Sequence, residues 1–281
     1  MPVFIFIAGY FSKRYIDYGI YVKKAITNAL LPYVIFNIAY GFLFAGHGHK
    51  LEGAISLFQP KWTLWFLLSI FFWKIMVEPF SKFRWPLILS LLLSLYVGMV
   101  SQVGTFLALS KTFSFFPYFL AGYLLTPDNL DKIRKQHAWL PSIFFIAVMI
   151  VVGVAVGMHV NSNTLLMKVP YAKMGQSYLA GMSLRGICLL LGFICIWFFI
   201  SVIPAKKSML SDIGMFSLTA YLAHSGIIRL FEFFKFKISN PVVFILFAII
   251  LSVAVCFLFG NRHVYFCYKA AMDRISRVLV G

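Results

Sequence analysis

The sequence predicts an all-α fold, a polytopic transmembrane helix bundle of about eight full spans with a truncated span at the N-terminus. Three observations predict it. Hydrophobic residues fill 62% of the 281 positions and charged ones only 12%, with a mean hydropathy of +0.90. A soluble domain is about half apolar and a quarter charged. Apolar runs of spanning length recur along the whole chain. Basic residues gather in the short stretches between those runs, where topology and anionic headgroups favour them. The net charge of +17 is therefore a membrane feature and not a nucleic-acid footprint.

The chain opens with the apolar run Met1–Phe11, which would cover only about 16 Å as helix, too short to span. It has no basic segment before the apolar run and no small-residue cleavage pattern after it, so it does not read as a signal peptide. The expectation is a helix whose beginning lies upstream. Ser12–Lys24 reads as a basic loop. Segments of spanning length follow at Ala25–Gly46, Trp62–Phe80, Trp85–Gln102, Phe106–Leu125, Trp139–Met158, Ser183–Ile203, Gly214–Phe231 and Pro241–Phe259. Several are flanked by Trp, Tyr or basic residues, as interfacial anchors are. Residues 1–259 thus form one transmembrane domain. Residues 260–281 form a basic tail, expected to lie along the membrane as an amphipathic helix. The cysteines Cys188, Cys195, Cys256 and Cys267 lack paired spacing and read as small core residues.

Charge predicts orientation. If Ser12–Lys24 is cytoplasmic and the spans alternate, the inner segments hold Lys13, Arg14, Lys23, Lys24, the clusters at 82–84, 132–135 and 206–207, and the tail. These outnumber the outer cations, among them Lys61, Lys111, Lys168 and Lys173. The positive-inside rule then places the C-terminus in the cytoplasm of a multi-pass membrane protein. An internal echo, Phe6-Ile7-Ala8-Gly9-Tyr10 and Phe119-Leu120-Ala121-Gly122-Tyr123, marks either a repeated packing element or a coincidence of biased composition.

Met215–Phe231 carries the most informative polar residues. His224 sits near its middle and Arg229 lies one to two turns on. An ionisable group at that depth costs about 2.5–3.5 kcal/mol, so it should face a polar interior. His224 either lines a reaction or transport cavity or bonds to a neighbouring helix, with Arg229 snorkelling. Lys74 and Glu78, at i,i+4, read as a structural ion pair. Trp62 and Trp65 read as interfacial anchors or sugar-stacking rings. His47 and His49 in GHGHK make a poor metal site, and no metal is expected. Arg185, Arg229, Lys235 and Lys237 read as snorkelling cations or as attractors of an anionic glycan.

The opening MPVFIFIAGYF resembles the MPLF-x-x-x-SGY-F signature of the acyltransferase-3 family of membrane O-acyltransferases, and of its fucose 4-O-acetylase-like branch in particular. The resemblance continues in order through Lys23-Lys24, Leu30-Leu31-Pro32-Tyr33, Trp62-Thr63-Leu64-Trp65-Phe66-Leu67-Leu68, Phe116–Tyr123 and Tyr221-Leu222-Ala223-His224, covering nearly the whole chain. Family members carry a first helix with an arginine or lysine and, about eleven positions later, a histidine thought to be catalytic. Met1 falls inside the second-helix motif, so this chain is expected to start after that helix. Members often carry arginines before the Leu-Pro-Tyr element, where this chain has Thr27 and Asn28.

The resemblance implies transfer of an acetyl group from acetyl-CoA to a hydroxyl of cell-surface carbohydrate, at a bacterial plasma membrane. It implies Lys13, Arg14, Lys23 and Lys24 for the CoA phosphates, leaves His224 in its matching motif with a catalytic, structural or orienting role, and puts Trp65, Tyr221 and Arg229 on the acceptor side. The implied partners are acetyl-CoA, a carbohydrate acceptor and the lipid bilayer, without nucleic acid. The competing class is a transporter or flippase of a lipid-linked sugar, which would show paired broken helices in two halves; no such pairing is visible.

Overall fold

A computed structural model describes residues 1–13, 17–44, 56–104, 106–157, 163, 166–203, 209–234 and 238–279. Among them helix is the only regular element. In chain order the helices are α1 (Pro2–Tyr10), α2 (Tyr18–Ala25), α3 (Leu31–Phe44), α4 (Trp65–Ser81), α5 (Pro86–Tyr96), α6 (Leu109–Leu124), α7 (Pro127–Arg134), α8 (Trp139–Gly157), α9 (Tyr178–Val202), α10 (Met209–Met215), α11 (Ser217–Phe233), α12 (Pro241–Phe259) and α13 (Arg262–Leu279).

Local chemistry sets many of the boundaries. Proline stands at the first helical turn of α1, α5, α7 and α12, where its missing N–H costs nothing. Thr126, Ser177 and Asn240 cap α7, α9 and α12 through side-chain oxygens. Asp17 does the same for α2, its Oδ1 accepting from Gly19 N at 2.8 Å, so Lys23 and Lys24 lie on a helix and not in the basic loop the sequence suggests. Five residues, Ile26–Leu30, form a π-helical turn between α2 and α3.

Every apolar segment marked by the sequence contains a helix. Tyr18–Phe42, Tyr178–Val202 and Val242–Phe259 are each long and apolar enough to cross a membrane, and α7 and α8 pass the same test as a pair bent by 85°. The segment expected at Trp85–Gln102 is helical only to Tyr96. The helix stops because Gly98 turns to accept the Tyr171 N–H at 2.8 Å, and the Tyr171 ring fills the space a Cβ on Gly98 would occupy.

The chain divides into two compact units, Met1–Ala25 with Trp65–Pro204, and Ile26–Leu64 with Ala205–Gly281. In the first, α6 is the central helix and packs against α1, α4 and α5. Its contact with α1 uses the sequence echo. A Cβ on Gly9 would lie 2.0 Å from the Phe119 carbonyl oxygen, and one on Gly122 would lie 2.0 Å from that of Phe6. The two FxxG elements therefore meet backbone to backbone, each glycine seated on the other's phenylalanine carbonyl. This is how helices associate where lipid removes the hydrophobic drive between them.

Polar groups in this unit find backbone partners. Trp73 Nε1 donates to Thr112 O at 2.7 Å, Tyr118 Oη to Leu189 O at 3.0 Å, and Ser69 Oγ lies 2.7 Å from Thr112 Oγ1. The Lys74–Glu78 pairing read from the sequence is corrected. Glu78 pairs with Lys82 at 3.9 Å, and Lys74 Nζ stands 5.9 Å from the Tyr21 ring centre. Arg185 is 3% exposed and does not snorkel.

In the second unit α11 packs against α12 and α13, α13 also packs against α3, and the Ser56–Leu64 segment is hydrogen-bonded to α3 and α11. The tail helix α13 turns Val264, Tyr265, Tyr268, Met272 and Ile275 inward at helical spacing, while Phe266 and Ala270 face outward. Tyr268 sits deep enough that burial raises its phenol pKa. Cys188 and Cys195 are half-buried, but Cys256 and Cys267 are exposed, so the core reading fails for the latter pair: each lies on the outward face of its helix.

The reciprocal contact makes a direct prediction. Gly9→Ala or Gly122→Ala must push two backbones apart, at about 1–3 kcal/mol or more. Thermal unfolding in nanodiscs should show a clear loss for either, while Gly153→Ala, whose Cβ meets nothing within 4 Å, should unfold like the parent.

Candidate functional site

The candidate site lies in the second unit, where the Ser56–Leu64 segment meets α3 and α11. The segment is held first by α3. Tyr33 Oη donates to Leu57 O at 2.5 Å and Asn37 Nδ2 to Ser56 O at 2.9 Å, while Asn37 Oδ1 accepts from Lys61 N at 3.1 Å. Asn37, fully buried, thus clamps the segment at two points. Burial lowers the pKa of Lys61 beside it.

The chain then turns sharply. Trp62 has φ of +47°, a left-handed conformation that costs a bulky residue about 1–3 kcal/mol and persists only when surrounding contacts impose it. Those contacts are visible. The Arg229 guanidinium stands 4.6 Å from the Trp62 ring centre, and the Tyr40 ring lies 5.3 Å away. Arg229 is thereby engaged by an aromatic face, which replaces the snorkelling account. Tyr40 Oη in turn donates to Leu222 O at 2.5 Å, tying α3 to α11.

Thr63 makes the connection to the histidine. Tyr221 Oη donates to the Thr63 carbonyl, and Thr63 Oγ1 is hydrogen-bonded to Ser225 Oγ. Ser225, buried on α11, also lies 3.5 Å from His224 Nε2. His224 Nδ1 is hydrogen-bonded to the Tyr221 carbonyl. A carbonyl oxygen can only accept, so Nδ1 carries the proton. When the ring is neutral, its lone pair is therefore at Nε2, on the side of the two hydroxyls. This is the tautomer a general base needs, fixed by a backbone group one turn earlier.

Of the residues named from sequence, the structure brings Tyr221, His224 and Arg229 together along α11 with Trp62 beside them, and adds Thr63 and Ser225. Thr63 and Ser225 carry no sequence signal of their own. Only their position, Thr63 inside the Trp62–Leu68 motif and Ser225 next to His224, could have flagged them.

The remaining candidates belong to the first unit. Trp65 is buried, its ring 4.5 Å from Lys111 Nζ and 5.6 Å from the Phe115 ring. It is a packing residue in this structure, not a surface anchor. Lys13 Nζ donates to Leu125 O at 2.5 Å and lies 4.5 Å from the Tyr10 ring centre. It closes the C-terminal end of α6, where carbonyls are unpaired and the helix dipole is negative. Lys23 and Lys24 are exposed on the last turn of α2. Arg14, His47, His49, Lys235 and Lys237 lie outside the described residues.

A family model described as an acyltransferase domain matches residues 1–261. No curated protein and no solved structure matches the chain. The family match runs through α12, across both units and the whole site around His224, and the chain belongs to the acyltransferase-3 family of membrane acyltransferases.

Proposed function

We propose that this membrane acyltransferase is an O-acetyltransferase, moving acetyl from acetyl-CoA to a hydroxyl of a cell-surface sugar or polysaccharide. That reading agrees with the fucose 4-O-acetylase-like branch its motifs resemble. The observation that carries it is the placement of His224, whose Nδ1 is held by the Tyr221 carbonyl so that the lone pair of the neutral ring lies at Nε2, facing Ser225 Oγ at 3.5 Å. A sugar hydroxyl is a poor nucleophile at neutral pH and needs such a base.

The step balances simply. His224 Nε2 takes the acceptor hydroxyl proton as the sugar oxygen bonds the acetyl carbon. The carbon–sulfur bond then breaks, and the imidazolium returns the proton to the CoA thiolate. Lys13, Arg14, Lys23 and Lys24 supply the charge that CoA phosphates require. Tyr221 and Arg229 hold the Trp62-Thr63 turn beside the histidine. The cytoplasmic tail follows from the same charge topology that puts these cations on the inner side.

The test follows labelled acetyl from acetyl-CoA into surface glycan, in membranes of cells carrying the natural gene, a deletion, or His224→Ala. Loss of a general base should lower transfer about 10²–10⁴-fold at unchanged protein level. Normal transfer by His224→Ala would remove it from the chemistry. Equal label in the deletion strain would sink the acetyltransferase reading and bring a lipid-linked sugar carrier forward. A second expectation separates positioning from chemistry. Tyr221→Phe removes one hydrogen bond to Thr63, worth about 1 kcal/mol. It should lower transfer by roughly tenfold or less, with the pH profile unmoved; a displaced profile would make the phenol itself an acid or base.

A further inference from the structure

The first unit contains a concentration of positive charge that no ion pair balances among the described residues. Arg185 lies seven residues into α9, about 10 Å along a helix long enough to span a bilayer. It is 3% exposed. Its Nη1 donates to Ser94 O at 3.1 Å and to Ser114 Oγ at 3.0 Å, both neutral, and the Tyr171 ring centre lies 4.8 Å from its guanidinium. Its Nη2 is buried and has no hydrogen-bond partner. Lys111 stands one turn before Ser114 on α6. Ser110 Oγ donates to Met167 O at 3.0 Å, which brings Lys168 to that same turn. Lys173 follows on the short helical turn that carries Tyr171. Lys168 and Lys173 are exposed, Lys111 is half-buried and Arg185 is buried.

Among the described residues no carboxylate pairs with these cations. Among the described residues none of the four has an ion pair. The chain has no Asp or Glu between Glu78 and Asp128, or between Asp131 and Asp212. The acidic residues of this unit sit elsewhere: Asp17 caps α2, Glu78 pairs with Lys82, and Asp128 and Asp131 are on α7. A buried guanidinium with an unmade hydrogen bond is costly in a bilayer and marks a site for a ligand that supplies the missing charge. The planar fork of arginine suits an oxyanion such as a carboxylate or phosphate.

The cluster is also separate from the cations assigned to CoA. Lys13 binds the carbonyl of Leu125, at one end of α6, and Lys111 occupies the first turn at the other. The two are about 20 Å apart along the helix. Two basic clusters at opposite ends of one helix suit two anionic ligands approaching from opposite faces.

We propose that Arg185, Lys111, Lys168 and Lys173 form an anion site for the acceptor, which is therefore an acidic saccharide bearing a carboxylate or phosphate. The proposal rests on the acetyltransferase reading for the word acceptor, but the site itself is tested by binding alone. Lys168 and Lys173 draw the anion in, and Arg185 makes the terminal charge-assisted hydrogen bond. Tyr171, seated between Gly98 and Gly181, backs the guanidinium.

The experiment uses the full chain in nanodiscs of neutral phosphatidylcholine. The probes are an oligogalacturonate and its methyl-esterified, uncharged counterpart, with inorganic phosphate as a third ligand. The charged oligosaccharide should bind at least about tenfold tighter than the ester, and Arg185→Gln should remove about that factor. Lys168→Gln with Lys173→Gln, both at the surface and safe for folding, should weaken binding and flatten its salt dependence. Arg262→Gln with Lys269→Gln, on the tail, should change nothing. Phosphate competing with the oligosaccharide, without the ester doing so, would name phosphate as a sufficient group. Equal binding of the ester, or equal loss in the tail variant, would each overturn the proposal. Intact anion binding with no acetyl transfer would instead remove the acetyltransferase reading and leave the site standing.

Discussion

In an apolar medium a hydroxyl, amide or indole N–H without a partner costs several kcal/mol, and that constraint decides how both units are held. The solution recurs: a side-chain donor on one element reaches a backbone carbonyl on another. Trp73 does so to Thr112, Tyr118 to Leu189, Tyr40 to Leu222, Asn37 to Ser56 and Tyr221 to Thr63. Each bond fixes a distance and a rotation between elements that apolar packing alone would leave sliding. The residue types fit the task, since an aromatic ring with a polar tip fills volume and reaches a carbonyl at once.

The second means of association is the absence of side chains. Gly9 and Gly122 bring α1 and α6 together at backbone distance, and Gly98 and Gly181 admit the Tyr171 ring from both sides. In each case a glycine is needed for space and not for its backbone freedom. The echo of FIAGY and FLAGY was visible in the sequence. Its meaning was not, because periodicity shows which faces are apolar and says nothing of which face meets which. Two five-residue strings looked like a repeat and proved to be the two halves of one contact.

The helices were legible because spanning length and apolarity are properties of a single segment. The errors fell where a second segment intervenes. The helix at Pro86–Tyr96 ends early because Tyr171, far along the chain, claims the Gly98 carbonyl. Glu78 has a cation at i−4 and another at i+4, and sequence spacing alone does not choose between them; the structure takes Lys82. The site was half legible. Tyr221, His224 and Arg229 share a helix, so their motif shows them together. Thr63 and Ser225 become part of the site only when the Trp62 turn folds against α11, which no local pattern encodes.

The Trp62 turn also shows why the histidine's state is not accidental. A tryptophan at φ of +47° would relax unless held. Arg229 and Tyr40 hold its ring, Asn37 holds the backbone before it, and Tyr221 and Ser225 hold the threonine after it. All but Tyr40 and Asn37 are on α11, and Tyr221 is also the residue whose carbonyl fixes the His224 tautomer. The helix that carries the base therefore carries the groups that strain the neighbouring turn. A shift of α11 large enough to let Trp62 relax would also move His224 away from the hydroxyls of Thr63 and Ser225. Strain in the turn and readiness of the base are thus properties of the same helix placement.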